Sequence, residues 1–251
     1  MRGLTGKVAI VTGAGSGLGR GMAERLNAEG VKVAILDVNL EGAEQTVASL
    51  TDAIALQVDI ADYEQCAEAV AEVESRFGAV DVLVNNAGWD LAGPFLESEP
   101  KQWRKIVDIN LYGPINMHHV VLPHMLKNGG GKIINIASDA GRVGSSGEAV
   151  YSACKGGIIA FGKTVSREVA RQGVVVNTVC PGPSDTPLFD HFAGEGEQGD
   201  KLRAALERSI PLKRLGTADD IAGIVAFLAS EEANFIVGQT ISVSGGLTMH
   251  G

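Results

Sequence analysis

Short runs of apolar residues alternate along this chain with longer segments in which apolar positions recur every three or four residues. The short runs are KVAIVTG (7–13), VKVAILDV (31–38), AIALQVDI (53–60), VDVLVNNAG (80–88), KIINIAS (132–138), VVVNTVCPG (174–182) and TISVSGG (240–246). They are rich in Val and Ile and lack strict in–out alternation, which predicts strands covered on both faces. The longer segments predict helices over 19–30, 40–50, 63–78, 100–128, 151–173 and 217–233. Repeated strand–helix alternation means βαβ units with right-handed crossovers. The expected fold class is α/β, a doubly wound parallel sheet of about seven strands with helices on both faces.

Residues 183–209, PSDTPLFDHFAGEGEQGDKLRAALERS, interrupt this regularity with Pro, Gly and mixed charge. A long irregular insert in a compact chain reads as a lid over a substrate site. No repeat, low-complexity tract or linker divides residues 1–251, so one domain is expected. The net charge of −9 argues against a nucleic-acid partner, whose phosphates select clustered Lys and Arg. The cysteines, Cys66, Cys154 and Cys180, are odd in number and scattered without a CxxC pair. That speaks against a disulfide framework and against a zinc site, so no metal is expected. No apolar run approaches the ~20 residues of a membrane span, and no signal-peptide pattern precedes the first strand. The expectation is a cytoplasmic protein with no membrane partner.

The chemistry is concentrated in three places. TGAGSGLGRG follows the first strand and opens the first helix, with Gly13, Gly17 and Gly19 in a TGxxxGxG pattern. Glycines there let the backbone turn sharply and approach a pyrophosphate, while the helix N-terminus offers free N–H groups. Asp37 closes the second strand, eighteen residues after Gly19. A carboxylate at that point accepts hydrogen bonds from ribose hydroxyls and repels a 2′-phosphate. No Lys or Arg follows it directly, and Ser16 occupies the glycine turn, so the pattern favours NAD over NADP. Further on, Tyr151 and Lys155 stand four residues apart, with Ser138 thirteen residues before the tyrosine at a strand's C-terminal end. If a helix begins at YSACKGG, the phenol and the ammonium share one face. The ammonium is then expected to stabilise the phenolate and make Tyr151 a usable general acid and base. Ser138 is placed to hold a substrate oxygen beside it.

Taken together, these marks resemble the short-chain dehydrogenase/reductase family over residues 5–248. The matching segments are TGAGSGLG, Asp59 in VDIAD, NNAG at 85–88, Asn110 in DINLYG, Ser138, YSACK and PGPSDT at 181–186. The resemblance implies one Rossmann-type dinucleotide-binding and catalytic domain and a catalytic tetrad of Asn110, Ser138, Tyr151 and Lys155. It implies that Ser16, Leu18 and the glycines hold the pyrophosphate, that Asp59 and Ile60 flank the adenine, and that Asn86, Ala87 and Gly88 line the cleft. Tyr151 and Lys155 would also touch the nicotinamide ribose, while Asn110 supports a water relay. Pro181, Gly182, Ser184 and Thr186 would face the nicotinamide. A homotetramer is implied, with helices 101–127 and 152–172 as interfaces. A narrower likeness, carried by NNAGWD, MHHVVLP, SDAGRVGSSGEAVY and SVSGGLTMHG, is to the family's 2-hydroxycyclohexanecarboxyl-CoA dehydrogenases.

The function expected is NAD-dependent interconversion of a secondary alcohol and a ketone on a small-molecule substrate, carried by a cyclic 2-hydroxyacyl-CoA thioester. Alternatives within the family are a general secondary-alcohol or sugar dehydrogenase and a 3-oxoacyl reductase. A non-catalytic nucleotide sensor would be free to lose Tyr151 or Lys155, and both are present. Other residues stay open between two readings. Trp89 lines an apolar pocket or packs on the sheet edge. Arg142 and Glu148 either touch the substrate or brace their loop as an ion pair, the second reading being favoured. His118, His119 and Cys154 are expected in packing roles. Lys201, Arg203, Lys213 and Arg214 either meet CoA phosphates or form a charged surface.

Overall fold

The computed structural model describes residues 1–194 and 196–249. Among them, one sheet is built from β1 (Val8–Thr12), β2 (Lys32–Asp37), β3 (Ala53–Gln57), β4 (Val82–Asn85), β5 (Gly131–Ile136), β6 (Val174–Pro181) and β7 (Thr240–Val243). All neighbours are parallel, in the order β3-β2-β1-β4-β5-β6-β7. The helices are α1 (Gly17–Ala28), α2 (Leu40–Val47), α3 (Tyr63–Phe77), α4 (Pro100–Val107), α5 (Gly113–Lys127), α6 (Ala140–Val143), α7 (Ala149–Val169), α8 (Pro187–Ala193), α9 (Glu197–Ser209) and α10 (Ala218–Ala229).

The absence of strict alternation in the strands follows from this burial. In β1, Ala9 and Val11 face a core shared with α1, α2 and α10, while Val8 and Ile10 face a second core shared with α3, α5 and α7. Successive side chains point to opposite faces, so a strand covered on both sides is apolar throughout. Fully burying each Val, Leu or Ile contributes roughly 1.5–3 kcal/mol. The chain winds outward from β1 to β3, then returns to β4 on the other side of β1. At that reversal the loops leaving β1 and β4 part and open a crevice at the strands' C-terminal ends, where ligands of open α/β sheets bind.

Two segments differ from the sequence expectation. The helix predicted over 100–128 is divided by a π-helical turn, Asp108–Tyr112. The cause is local: Asn110 Nδ2 donates to the Ile106 carbonyl at 2.9 Å, the acceptor that the Asn110 backbone N–H would use in an α-helix. A side chain that takes the i−4 carbonyl displaces the ladder, and the backbone absorbs one extra residue per turn. Residues 183–209, read as irregular, contain α8 and α9. Thr186 caps α8 by accepting from Phe189 N at 3.2 Å, and Pro187 fits the first helical position. In α9, the stretch KLRAALERS consists almost entirely of good helix formers. No helix among the described residues is long and apolar enough to cross a membrane.

The pairing of α1 with α10 sets the position of the glycine turn that opens α1. A Cβ added at Gly21 would lie 2.5 Å from Ala218 Cβ, inside the contact distance of two carbons. Gly21→Val is therefore expected to separate the two helices and lower stability by about 1–3 kcal/mol, measured as a shift in the denaturant midpoint.

Candidate active site

The crevice at the β1/β4 reversal is a cleft of about 860 Å³. Its floor begins at the glycine turn. Gly13 has φ +63°, and a Cβ there would come within 2.6 Å of Ala87 Cα. At Gly19 a Cβ would meet Gly13 O at 2.2 Å and Asn86 Nδ2 at 2.5 Å. Only glycine lets the first turn of α1 close on the loop after β4. Asn86 then ties the two loops together, its Nδ2 donating to Thr12 O and Gly13 O, both at 2.9 Å. Thr12, which the sequence reading passed over, is fully buried, and its Oγ1 accepts from Asn86 N and Ala87 N, both at 3.0 Å. The first turn of α1 carries no acidic side chain. Its positive dipole end and free N–H groups therefore face the cleft unneutralised.

Asp37 stands at the end of β2 on the same wall, accepting from Gly15 N at 2.8 Å and Asn39 N at 2.9 Å. Two backbone donors hold its carboxylate in place. Asp59 and Ile60, then Ala87 and Gly88, continue the lining, and Pro181, Gly182, Ser184 and Thr186 line it from the β6 side. Ser16, Gly17 and Leu18 complete the glycine end.

Ser138, Tyr151 and Lys155 meet in the middle of this wall. Ser138 leaves β5, and its Oγ accepts from Ala140 N at 3.1 Å as α6 begins. Tyr151 and Lys155 share one face of α7, with the Lys155 ammonium 5.4 Å from the centre of the Tyr151 ring. Lys155 is 3% exposed, and its Nζ donates to the Ile136 carbonyl at 3.1 Å. Burial pulls this ammonium down to about 8. Asn110 sits behind the wall and is fully buried. Its Nδ2 donates to Trp89 O at 2.6 Å and Ile106 O, but its buried Oδ1 has no donor. Gly88 packs tightly against both groups: a Cβ there would lie 3.0 Å from Asn110 Oδ1 and 3.4 Å from Lys155 Nζ.

The phenol is crowded by burial and by acidic neighbours. Burial holds the Tyr151 hydroxyl above its ordinary range, the Glu148 and Asp90 carboxylates push it further, and hydrogen bonding by Ser138 pulls it back. Those carboxylates also correct another expectation. Glu148 makes no ion pair with Arg142, whose Nη1 donates to Ser242 Oγ at 2.6 Å; Glu148 instead helps to raise the buried Asp90 carboxyl. Trp89 lines the cleft, its ring 3.8 Å beneath the Lys105 ammonium. His118 is buried and neutral, its Nδ1 donating to Pro114 O at 2.7 Å, whereas His119 is exposed and bonds the Tyr63 hydroxyl at 2.8 Å. Cys154 is buried, and burial raises its thiol. The cations considered for CoA phosphates have partners within the chain. Arg203 pairs with Asp185 and Asp190, Lys201 with Glu197, Arg214 with Asp220, and Lys213 donates to Arg208 O.

Comparison with known proteins agrees with this geometry. The family model described as enoyl-(acyl carrier protein) reductase matches residues 13–248. A 3-oxoacyl-(acyl-carrier-protein) reductase of Staphylococcus epidermidis is 40% identical over 251 residues, covering 97% of this chain and 99% of its own. An acetoacetyl-CoA reductase of Shinella zoogloeoides is 39% identical over 240 residues, or 96% of this chain and 98% of its own. Among solved structures, the 3-ketoacyl-(acyl-carrier-protein) reductase of Brucella melitensis complexed with NADH aligns with a TM-score of 0.91 at 36% identity, over 98% of this chain and 100% of that one. This chain belongs to the short-chain dehydrogenase/reductase family and is an oxidoreductase acting on a CH–OH or keto group. The relatives named here are 3-oxoacyl reductases, not the cyclic hydroxyacyl-CoA dehydrogenases of the narrower likeness.

Because Thr12 Oγ1 is the acceptor for two loop N–H groups, Thr12→Val keeps the side-chain shape and orphans both donors. The expected loss is about 1–3 kcal/mol per orphaned group in denaturant unfolding.

Proposed function

We propose that this short-chain dehydrogenase/reductase uses NAD to interconvert a secondary alcohol and a ketone placed β to an acyl thioester. The observation that carries the reading is the meeting of Ser138, Tyr151 and Lys155 in the wall of a cleft that begins at a glycine turn. The residues suit a dinucleotide. The glycine turn leaves room for a pyrophosphate at the N-terminus of α1. The Lys155 ammonium lines the cleft with N–H bonds to spare, which suits ribose hydroxyls. Asp37 supports NAD, since a 2′-phosphate would face a carboxylate pinned by two backbone N–H groups. The thioester rests on the relatives, named for 3-oxoacyl-(acyl-carrier-protein) and acetoacetyl-CoA.

When bound, the nicotinamide supplies the hydride chemistry. The chain's own groups handle orientation and the proton. Ser138 Oγ holds the substrate oxygen. Tyr151 gives its hydroxyl proton to that oxygen in reduction and takes it back in oxidation. Lys155 stabilises the phenolate and holds the ribose, and Asn110 keeps the lysine connected to solvent. Because Tyr151 is held neutral, it suits proton donation to a ketone near neutrality, and alcohol oxidation is expected to rise with pH as the phenolate fraction grows. The substrate portion of the cleft is walled by Val143, Leu188, Phe189, Leu206 and Leu247. That apolar breadth favours a second, narrower reading: a cyclic acyl group such as 2-hydroxycyclohexanecarboxyl-CoA. Helices α8 and α9 supply part of this wall and form the lid.

The test is NADH absorbance with β-hydroxyacyl thioesters, linear and cyclic, comparing NAD with NADP. Wild type is expected to prefer NAD, with oxidation accelerating as pH rises. Tyr151→Phe is expected to bind NAD normally and lose at least ~100-fold in turnover, the scale of one general acid–base group. Wild-type turnover in that variant removes the role assigned to Tyr151.

A further inference from the structure

Ser138 leads directly into α6, a single turn of four residues. A helix that short does not hold itself in water, so its place is set by what it packs against. Three contacts set it. Toward α7, Gly141 lets the turn lie on the backbone of Lys155, where a Cβ would come within 2.6 Å of Lys155 C. Toward β6, Asp139 N donates to Pro181 O at 3.1 Å. Toward β7, the contact is made by side chains. Arg142 Nη1 donates to Ser242 Oγ at 2.6 Å, and Ser242 Oγ in turn donates to Asp139 Oδ1. β7 is not a neighbour of β5, because β6 lies between them. The two bonds therefore cross over the end of β6, where Cys180 is the register partner of Ser242.

The direction of these bonds is fixed by chemistry. A guanidinium only donates, a carboxylate only accepts, and a hydroxyl does both. Ser242 is thus a bridge between a cation and an anion that come from the same turn. Asp139 is 5% exposed, and its Oδ2 meets no donor. A carboxylate so buried depends on the hydrogen bonds it does make. Asp139 has no part in the proton transfer described above.

We propose that Asp139 is a positioning residue for Ser138: the Arg142–Ser242–Asp139 bridge fastens the α6 turn to β7 and so sets where the Ser138 hydroxyl meets the substrate oxygen. Displacing a substrate-holding group by about 1 Å costs up to ~100-fold in rate. Beyond β7 the chain runs on to Leu247 and Thr248, which line the cleft, so one bridge registers two of its walls. This deepens the dehydrogenase reading and rests on it.

The experiment measures NAD reduction with 3-hydroxybutyryl-CoA or 2-hydroxycyclohexanecarboxyl-CoA, whichever the wild type oxidises faster, beside NAD affinity by isothermal titration. Ser242→Ala removes the bridge. Its kcat is expected to fall ~10-fold, through a misplaced Ser138, with NAD affinity unchanged. Ser242→Thr keeps the hydroxyl and is expected to restore kcat. In a Ser138→Ala background the loss caused by Ser242→Ala is expected to vanish, because the bridge has no hydroxyl left to position. Asp139→Ala, which removes the acceptor, is read in the same two backgrounds if Ser242→Ala does not fold. Wild-type kcat in Ser242→Ala overturns the proposal. So does an equal fold-loss with and without the Ser138 hydroxyl, the pattern of a purely structural lesion. A wild type that oxidises neither thioester overturns the dehydrogenase reading itself.

Discussion

One ammonium group taken out of water organises this site. Lys155 is buried with a single backbone acceptor, the Ile136 carbonyl, and has two N–H bonds left over. Burial of that kind is unfavourable unless the surroundings are built to tolerate it. Here they are. The π-helical turn brings Asn110 in behind the lysine with its Oδ1 free. Gly88, with no Cβ, lets the loop after β4 pack close against both groups. Gly141 lets α6 lie against the lysine's own turn of α7, since a Cβ there would sit 2.6 Å from both Lys155 C and Gly156 N. That close approach brings Ser138 to Tyr151.

Two opposing sets of charge then act on the phenol. The ammonium above the ring favours the phenolate, and the Asp90–Glu148 carboxyls together with burial disfavour it. Burial first and the carboxylates after it hold the phenol above its ordinary range.

Much of this was legible in the sequence because the deciding constraints are local. Both-face burial removes the in–out alternation from β1, β2 and β6. The glycine turn announces close backbone approach, and Tyr151 and Lys155 reveal a shared helix face by spacing alone. What was not legible depends on long-range partners. The π-helical turn follows from Asn110 choosing the Ile106 carbonyl, which no periodicity reports. The Thr12 clamp depends on where the loop after β4 returns. The Arg142–Glu148 pair looked natural in sequence, but Arg142 Nη1 reaches Ser242 on β7 instead, a hundred residues away. The helices α8 and α9 were obscured by the Gly and Pro residues around them, although Thr186 and KLRAALERS carried the cap and the propensity.

The central claim is that the two idle N–H bonds of the buried Lys155 ammonium are completed by the ribose hydroxyls of a nicotinamide nucleotide. The direct measurement is the NAD dissociation constant of Lys155→Met beside wild type, by isothermal titration. Loss of charge-assisted hydrogen bonds should weaken binding by at least ~10-fold, since each contributes about 1.5–3 kcal/mol. Equal affinity in the two proteins would contradict it.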